Sequence, residues 1–294
     1  MRKLIMVAML ALCLSANAQT VGLSISSLNN PFFVDLQDGA QAVAEELGFE
    51  LLVTDAQNSI STQISDIEDL LQRGVDVLVI NATDSDAVVP TVFAANEAGI
   101  PVIAVDRGIS GGVIAYSIAS DNIAGGASAG EYICGALMGS GPVVELEGIP
   151  GVSATNERGQ GFNDYLSESC AELEVVARQT ANFSRAEGLT VMENILTAQP
   201  DIAALFAHND EMALGALQAV EASGRDIIIV GFDATDDAVA AVNECRMAAT
   251  VAQLPSDLGA ESIRAAADIL ENGASDETVV VAVPLELVTN PDCQ

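Results

Sequence analysis

The chain reads as an α/β protein of two similar lobes, each a parallel sheet flanked by helices and joined to the other by three crossings of the chain. Three observations predict this. Apolar, β-branched runs alternate with amphipathic stretches almost throughout, the pattern of βαβ units. The runs are hydrophobic nearly without interruption, as expected of strands covered on both faces. Finally, an Asn and an Asp recur at matching run ends: 25 residues separate Asn81 from Asp106, and 24 separate Asn209 from Asp233. Such an echo points to two related lobes that present polar groups at their strand ends, with a ligand cleft between them that can close by hinge motion.

The strand-like runs are Val21–Ile25, Leu51–Val53, Val77–Ile80, Val102–Val105, Val143–Leu146, Val175–Ala177, Ala203–Phe206, Ile227–Val230 and Ala249–Val251. Between them lie helix-like stretches, among them Val34–Leu47, Ile60–Gln72, Gly159–Leu166, Met212–Ala222 and Leu258–Leu270. Breaks stand at Gly108–Gly112 leading to Ser120-Asp121-Asn122, at Gln253-Leu254-Pro255 and at Pro284. Three breaks place residues 19–120 plus 253–282 in an N-terminal lobe and 121–252 plus 283–294 in a C-terminal lobe.

Residues 1–18 have the pattern of an export signal. Arg2 and Lys3 precede the apolar run Leu4–Leu14, and Ala16-Asn17-Ala18 is an A-x-A cleavage site. Cleavage would leave Gln19 first, and no later segment approaches the ~20 apolar residues of a membrane span. The expected product is a freely soluble, exported protein. The 294 residues allow one large domain or two lobes with real cores. Ten basic residues stand against 42 acidic ones, a formal net charge of −32, and Lys3 is the only lysine. Nucleic acid needs clustered Lys and Arg to neutralise phosphates, so it is excluded as a partner, and an anionic membrane surface is disfavoured for the same reason.

Beyond residue 18 lie Cys134, Cys170, Cys245 and Cys293. An exported chain with four cysteines can form two disulfides in three connectivities. Joining near neighbours gives Cys134–Cys170 and Cys245–Cys293, with free buried thiols as the alternative. Asn29-Asn30-Pro31-Phe32-Phe33 follows the first strand, and Pro31 suits the first turn of a helix. Two amides and two aromatics thus gather at the carboxyl end of a strand, where open α/β sheets bind ligands. Buried core rings and a helix cap are the competing explanation for them.

Several segments together resemble the periplasmic sugar-binding proteins of ABC transport systems, type I fold, and within them the ribose-binding group. They are Ser27–Phe33, Asn81–Ala87, Val105–Arg107, Ile118–Asn122, Glu157–Gly159, Asn209–Leu217, Val230–Asp233 and Ala252–Pro255. The match covers the chain in order from residue 19 onward. The resemblance implies that Asn30, Asp106, Arg107, Arg158, Asn209, Asp233 and Gln253 hydrogen-bond a pentose, and that Phe32, Phe33, Phe183 and Phe232 sandwich its ring. It implies capture of D-ribose or a similar monosaccharide, no cofactor, a monomer, delivery to an ABC transporter membrane permease, and a chemoreceptor as a second reader of the closed form. Allose, another pentose or a hexose is the alternative ligand. His208 stands where glutamine is common in the family, and Asn29 reads as a structural helix cap.

The residue types support this independently. Arginines present planar forks of donors, and ionised carboxylates hold adjacent hydroxyls. A buried polar site rejects a sugar that lacks one hydroxyl, because a partner is then left unsatisfied. Four of the eight phenylalanines fall at these positions. Asp106 and Asp233 could be imagined as a glycosidase pair, but carboxylates beside arginines are expected to stay ionised, which handicaps a general acid. The chain lacks H-E-x-x-H, Walker and G-x-G-x-x-G motifs. One histidine and no CxxC argue against a transition-metal site. An enzyme is therefore not expected.

Self-repulsion at this charge destabilises the compact state unless counter-ions screen it. The melting temperature should rise as NaCl goes from ~0.01 to ~1 M. A thermal melt series that is flat or falls over that range would contradict the reading of a salt-adapted surface.

Overall fold

The computed structural model describes residues 19–275 and 277–293, so the expected export signal lies outside the described residues. The first part of the chain runs β1 (Thr20–Ile25), α1 (Pro31–Leu47), β2 (Glu50–Asp55), α2 (Ile60–Arg73), β3 (Val77–Ile80), α3 (Val89–Glu97), β4 (Val102–Val105) and β5 (Tyr116–Ser120). The second part runs α4 (Asn122–Ala136), β6 (Ser140–Glu147), α5 (Ser153–Ser169), β7 (Glu172–Thr180), α6 (Arg185–Ala198), β8 (Ala204–Ala207), α7 (Asp210–Ser223), β9 (Ile228–Asp233), α8 (Asp236–Asn243) and β10 (Ala249–Ala252). Then come α9 (Pro255–Asn272), β11 (Val279–Val283) and β12 (Glu286–Thr289), with a 3-10 turn over Pro291–Cys293.

These strands form two six-stranded sheets. The first has the order β11-β5-β4-β3-β1-β2, with every pairing parallel. The second has the order β12-β10-β9-β8-β6-β7 and is parallel except where β12 runs antiparallel to β10. The central strands β3, β4 and β8 are buried at every residue, as their unbroken apolar sequences require. All nine strand-like runs fall in strands. Three further strands, β5, β11 and β12, were not among them. The chain passes between the sheets after Ser120, after Ala252 and after Val283.

Local signals fix the helix ends. Asn30, Ser59, Asp121, Ser184 and Asn209 cap α1, α2, α4, α6 and α7 through their own side chains, each satisfying a backbone N–H that has no partner within the helix. Each sheet carries a hydrophobic cluster on either face. Disulfides join Cys134 to Cys170 and Cys245 to Cys293, the pairing of near neighbours. The first ties the end of α4 to the end of α5, and the second ties the segment after α8 to the 3-10 turn.

The three most extensive helix contacts are α4 with α5, α6 with α7, and α1 with α9. Each crosses at a reciprocal pair of glycines. A Cβ on Gly126 of α4 would fall on the Arg158 carbonyl oxygen, and one on Gly161 of α5 on that of Ile123. Gly188 and Gly215 meet Met212 and Arg185 in the same way, as Gly39 and Gly259 meet Ser256 and Leu36. The backbones touch with no side chain between them. Ala for Gly inside a helix ordinarily adds up to about 1 kcal/mol of stability. At Gly161 the sign should reverse: Gly161→Ala should lose about 1–3 kcal/mol to overpacking, read by denaturant unfolding. A neutral or stabilised variant would show that the α4–α5 contact yields easily.

Candidate functional site

The carboxyl ends of the two sheets face each other, and the helices that follow aim their N-termini into the space between. On the first lobe, α1 starts at Pro31 after Asn30, whose Oδ1 accepts a hydrogen bond from the Phe32 backbone N–H at 3.0 Å. The cap expected of Asn29 therefore belongs to Asn30, while Asn29 is exposed. Phe32 and Phe33 pack edge to face with centroids 5.2 Å apart. They belong to the first lobe's core and also line the cleft, so both explanations of the aromatic pair hold.

At the end of β4, Asp106 sits at φ 65. Its Oδ2 accepts from Asn81 Nδ2 at 3.0 Å and lies 3.6 Å from Arg107 Nε. Arg107 donates from Nη1 to the Ala82 carbonyl at 2.9 Å. Its guanidinium is held between two rings, 5.0 Å from the Phe33 centroid and 5.5 Å from that of Phe183, a favourable position for a cation. Phe183 itself has φ 56. Its ring fits only because residue 148 is glycine, since a Cβ there would land on the ring edge.

On the second lobe, Arg158 projects from α5. It donates from Nε to Asn122 Oδ1 at 2.9 Å and from Nη1 to the His208 carbonyl at 2.6 Å, and Nη1 lies 3.6 Å from Asp233 Oδ1. Asp233, at φ 119, also accepts from Gln253 Nε2 at 2.8 Å. Asn209 caps α7 by accepting from the Met212 N–H at 3.0 Å. Strained φ values at three of the site residues, Asp106, Phe183 and Asp233, fit a functional constraint, because non-glycine residues rarely hold such backbone angles without one.

Ten of the eleven residues singled out in the sequence line one chamber: Asn30, Phe32, Phe33, Asp106, Arg107, Arg158, Phe183, Asn209, Asp233 and Gln253, with Ala154 as an unforeseen eleventh. Phe232 is placed differently from its expected role in the ring sandwich. It is fully buried one layer behind, with the Arg158 guanidinium carbon 3.8 Å above its ring. It supports an arginine instead of walling the chamber. Two buried polar atoms on the chamber wall have no partner: the donor Asn209 Nδ2 and the acceptor Gln253 Oε1. A buried polar group without a hydrogen bond is costly, so a ligand with both donor and acceptor capacity, such as a hydroxyl, fits there.

The chamber carries two anions and two cations. Burial lowers Arg107 to about 10 and also lowers Arg158. Burial raises Asp106 and Asp233 against the pull of the arginines. Desolvation outweighs ion pairs at 3.6 Å. Asp210, beneath Asp233, is pushed up to about 7 by burial, despite accepting from Thr250 Oγ1 at 2.7 Å and from the Thr235 N–H at 2.8 Å. His208 is fully buried, with Nε2 2.9 Å from Glu145 Oε1, and reaches the chamber only through its carbonyl on Arg158. Among the described residues no group of three or more His, Cys, Asp or Glu is placed to hold a metal ion.

Asn81 and Asn122, which aim Asp106 and Arg158, had no role assigned from the sequence. Asn81 was visible as the echo of Asn209, but the echo is structural only: Asn81 is spent on Asp106, whereas Asn209 keeps its amide N–H2 free. Ala154 offers no signal beyond being small.

Two parallel-sheet lobes around such a chamber place the chain in the periplasmic binding protein family, and it belongs there: the family model for a periplasmic binding protein domain matches residues 21–274. It is 48% identical over 270 residues to the ribose import binding protein RbsB of Bacillus subtilis, covering 92% of this chain and 87% of that protein. It is 46% identical over 282 residues to the protein of the same name from Escherichia coli, covering 95% and 93%. Among solved structures, the Caulobacter myo-inositol binding protein bound to myo-inositol has a TM-score of 0.88 at 34% identity, with 95% of each chain covered.

The raised carboxyls fix a pH dependence. A group with a higher pKa folded than unfolded binds its proton more tightly in the folded state. Stability therefore grows as pH falls through the folded pKa and is lost as pH rises through it. With Asp210 at about 7, the sugar-free protein should melt higher at a pH of about 6 than at about 8.5 in constant high salt. Asp210→Asn should shrink that difference. A wild-type melt that is flat across the window, or an unchanged slope in the variant, would remove Asp210 as the cause.

Proposed function

We propose that this protein captures D-ribose in the cleft between its lobes and delivers it to an ABC import permease, working in the periplasm as a monomeric receptor without catalysis. The observation that carries the reading is the chamber. It has aromatic walls and a ring of charged and amide groups, two of which still lack partners. The relatives named for ribose import, at 46% and 48% identity, favour ribose over other sugars. In this reading Asn30, Asp106, Arg107, Arg158, Asn209, Asp233 and Gln253 hold the hydroxyls and ring oxygen, and Phe32, Phe33 and Phe183 cover the ring faces. Charges balanced within the chamber suit a neutral ligand, since an ionic one would leave a charge uncompensated.

Delivery requires that the permease distinguish the closed form from the open one, because a partner indifferent to the two could not respond to the sugar. A chemoreceptor would read the same closed surface. A receptor for a different polyol is the competing reading, favoured by the similarity to a protein bound to myo-inositol.

Calorimetric titration with ribose, allose, arabinose, xylose, galactose and myo-inositol tests the assignment. Ribose should bind best, with a dissociation constant between micromolar and tens of nanomolar in order of magnitude. A tighter fit of any other member would replace ribose as the ligand. Phe33→Ala should weaken ribose binding by about 1–3 kcal/mol through lost ring contact. An unchanged affinity would take Phe33 out of the ring wall.

A further inference from the structure

Helix α5, which carries Arg158 and Ala154 into the chamber, has no cap of its own. Its N-cap residue is Val152, in an extended conformation and without a side-chain hydrogen bond. Val152 cannot accept one, whereas five other helices cap themselves with Asn, Ser or Asp. The missing acceptor comes from the other lobe. Ser85, in the loop between β3 and α3, accepts from the Ser153 backbone N–H through its Oγ at 3.2 Å. The contact is reciprocal. The Gly108 N–H of the first lobe donates to Ser153 Oγ at 2.8 Å, and the Ser85 N–H donates to the Gly151 carbonyl at 3.1 Å. The lips meet so closely here that a Cβ on Gly151, itself at φ 89, would land on Asp84 Oδ2. Neither Ser85 nor Ser153 lines the chamber.

We propose that Ser85 is the N-cap of α5 supplied in trans, a positioning residue that couples closure of the lobes to capping of the helix that bears Arg158. The proposal rests on the reading of the protein as a sugar receptor that closes on its ligand. In the open form the first N–H groups of α5 meet water. Closing replaces that water with Ser85 Oγ and completes the helix end. The closed form is thereby favoured by an interaction that no sugar touches, and the benefit appears in how slowly the sugar escapes. It also gives a role to Asp84-Ser85, part of a family-like motif that the chamber does not use.

The test is stopped-flow kinetics with the sugar that the wild type binds best in the titration panel. Ser85→Ala should raise the dissociation rate about fivefold, the usual scale of a lost cap, with the association rate and the melting temperature of the sugar-free protein unchanged. Ser85→Thr keeps a side-chain hydroxyl able to accept from the Ser153 N–H. It should leave the dissociation rate within about twofold of the wild type. If the wild type binds no sugar of the panel, the receptor reading falls and this proposal with it. If the wild type binds and Ser85→Ala dissociates at the wild-type rate, the trans cap alone is refuted. A rise in Ser85→Thr equal to that in Ser85→Ala would refute the Ser153 hydrogen bond as the cause.

Discussion

Backbone-to-backbone contact between paired helices is the constraint on which the rest of this structure depends. Each of the three main pairs crosses where a glycine of either helix lies against a backbone carbonyl of the other. Because no side chain separates the axes, the relative position of the helices is set by covalent geometry instead of by packing that could relax. The residues of the chamber stand at or near the N-termini of these same helices: Asn30, Phe32 and Phe33 on α1, Gln253 just before α9, Arg158 on α5, Phe183 before α6 and Asn209 at the cap of α7. Rigid pairing beside the cleft, with the Arg158 carbonyl itself one of the contacts, is what lets short side chains meet across it with hydrogen-bond accuracy.

The chamber spends some of that rigidity on unfavourable chemistry. Two carboxylates and two guanidiniums are removed from water, with ion pairs at 3.6 Å in place of full contact. Three of its residues hold left-handed or otherwise strained backbone angles. Hydrogen bonds from neighbours that never reach the chamber, Asn81 to Asp106 and Arg158 to Asn122 and to the His208 carbonyl, keep the charged groups aimed. Within each lobe the charged groups are thereby held in place before any ligand meets them.

Much of this was legible in the sequence, for identifiable reasons. Strands buried on both faces leave unbroken apolar runs, so β3, β4 and β8 were plain. Tyr116–Ser120 was not read as a strand, because its serines and tyrosine suit a strand near the rim and break the apolar signal. Val279–Val283 is strongly apolar yet short, and its burial is slight because it forms a sheet edge. Within the site, ten lining residues were readable through the family resemblance of the segments that carry them. Phe232 was placed in the ring sandwich by the same resemblance, which does not say on which side of an arginine a ring lies. The choice between Asn29 and Asn30 as cap turned on one residue of register, which only backbone geometry resolves.

The three crossings between the sheets are short. Only Asp121 separates β5 from α4, only Gln253 and Leu254 separate β10 from α9, and only Pro284 and Leu285 separate β11 from β12. Five residues, one of them a proline with its φ fixed, leave the halves few torsions through which to move. Relative motion is thus confined to something near a single angular coordinate, like a door and not a tether. Gln253 belongs to this pivot and to the chamber wall at once. A ligand bonded to its amide is held at the axle as well as by the two jaws, so filling the chamber and setting the angle of the door are one mechanical event.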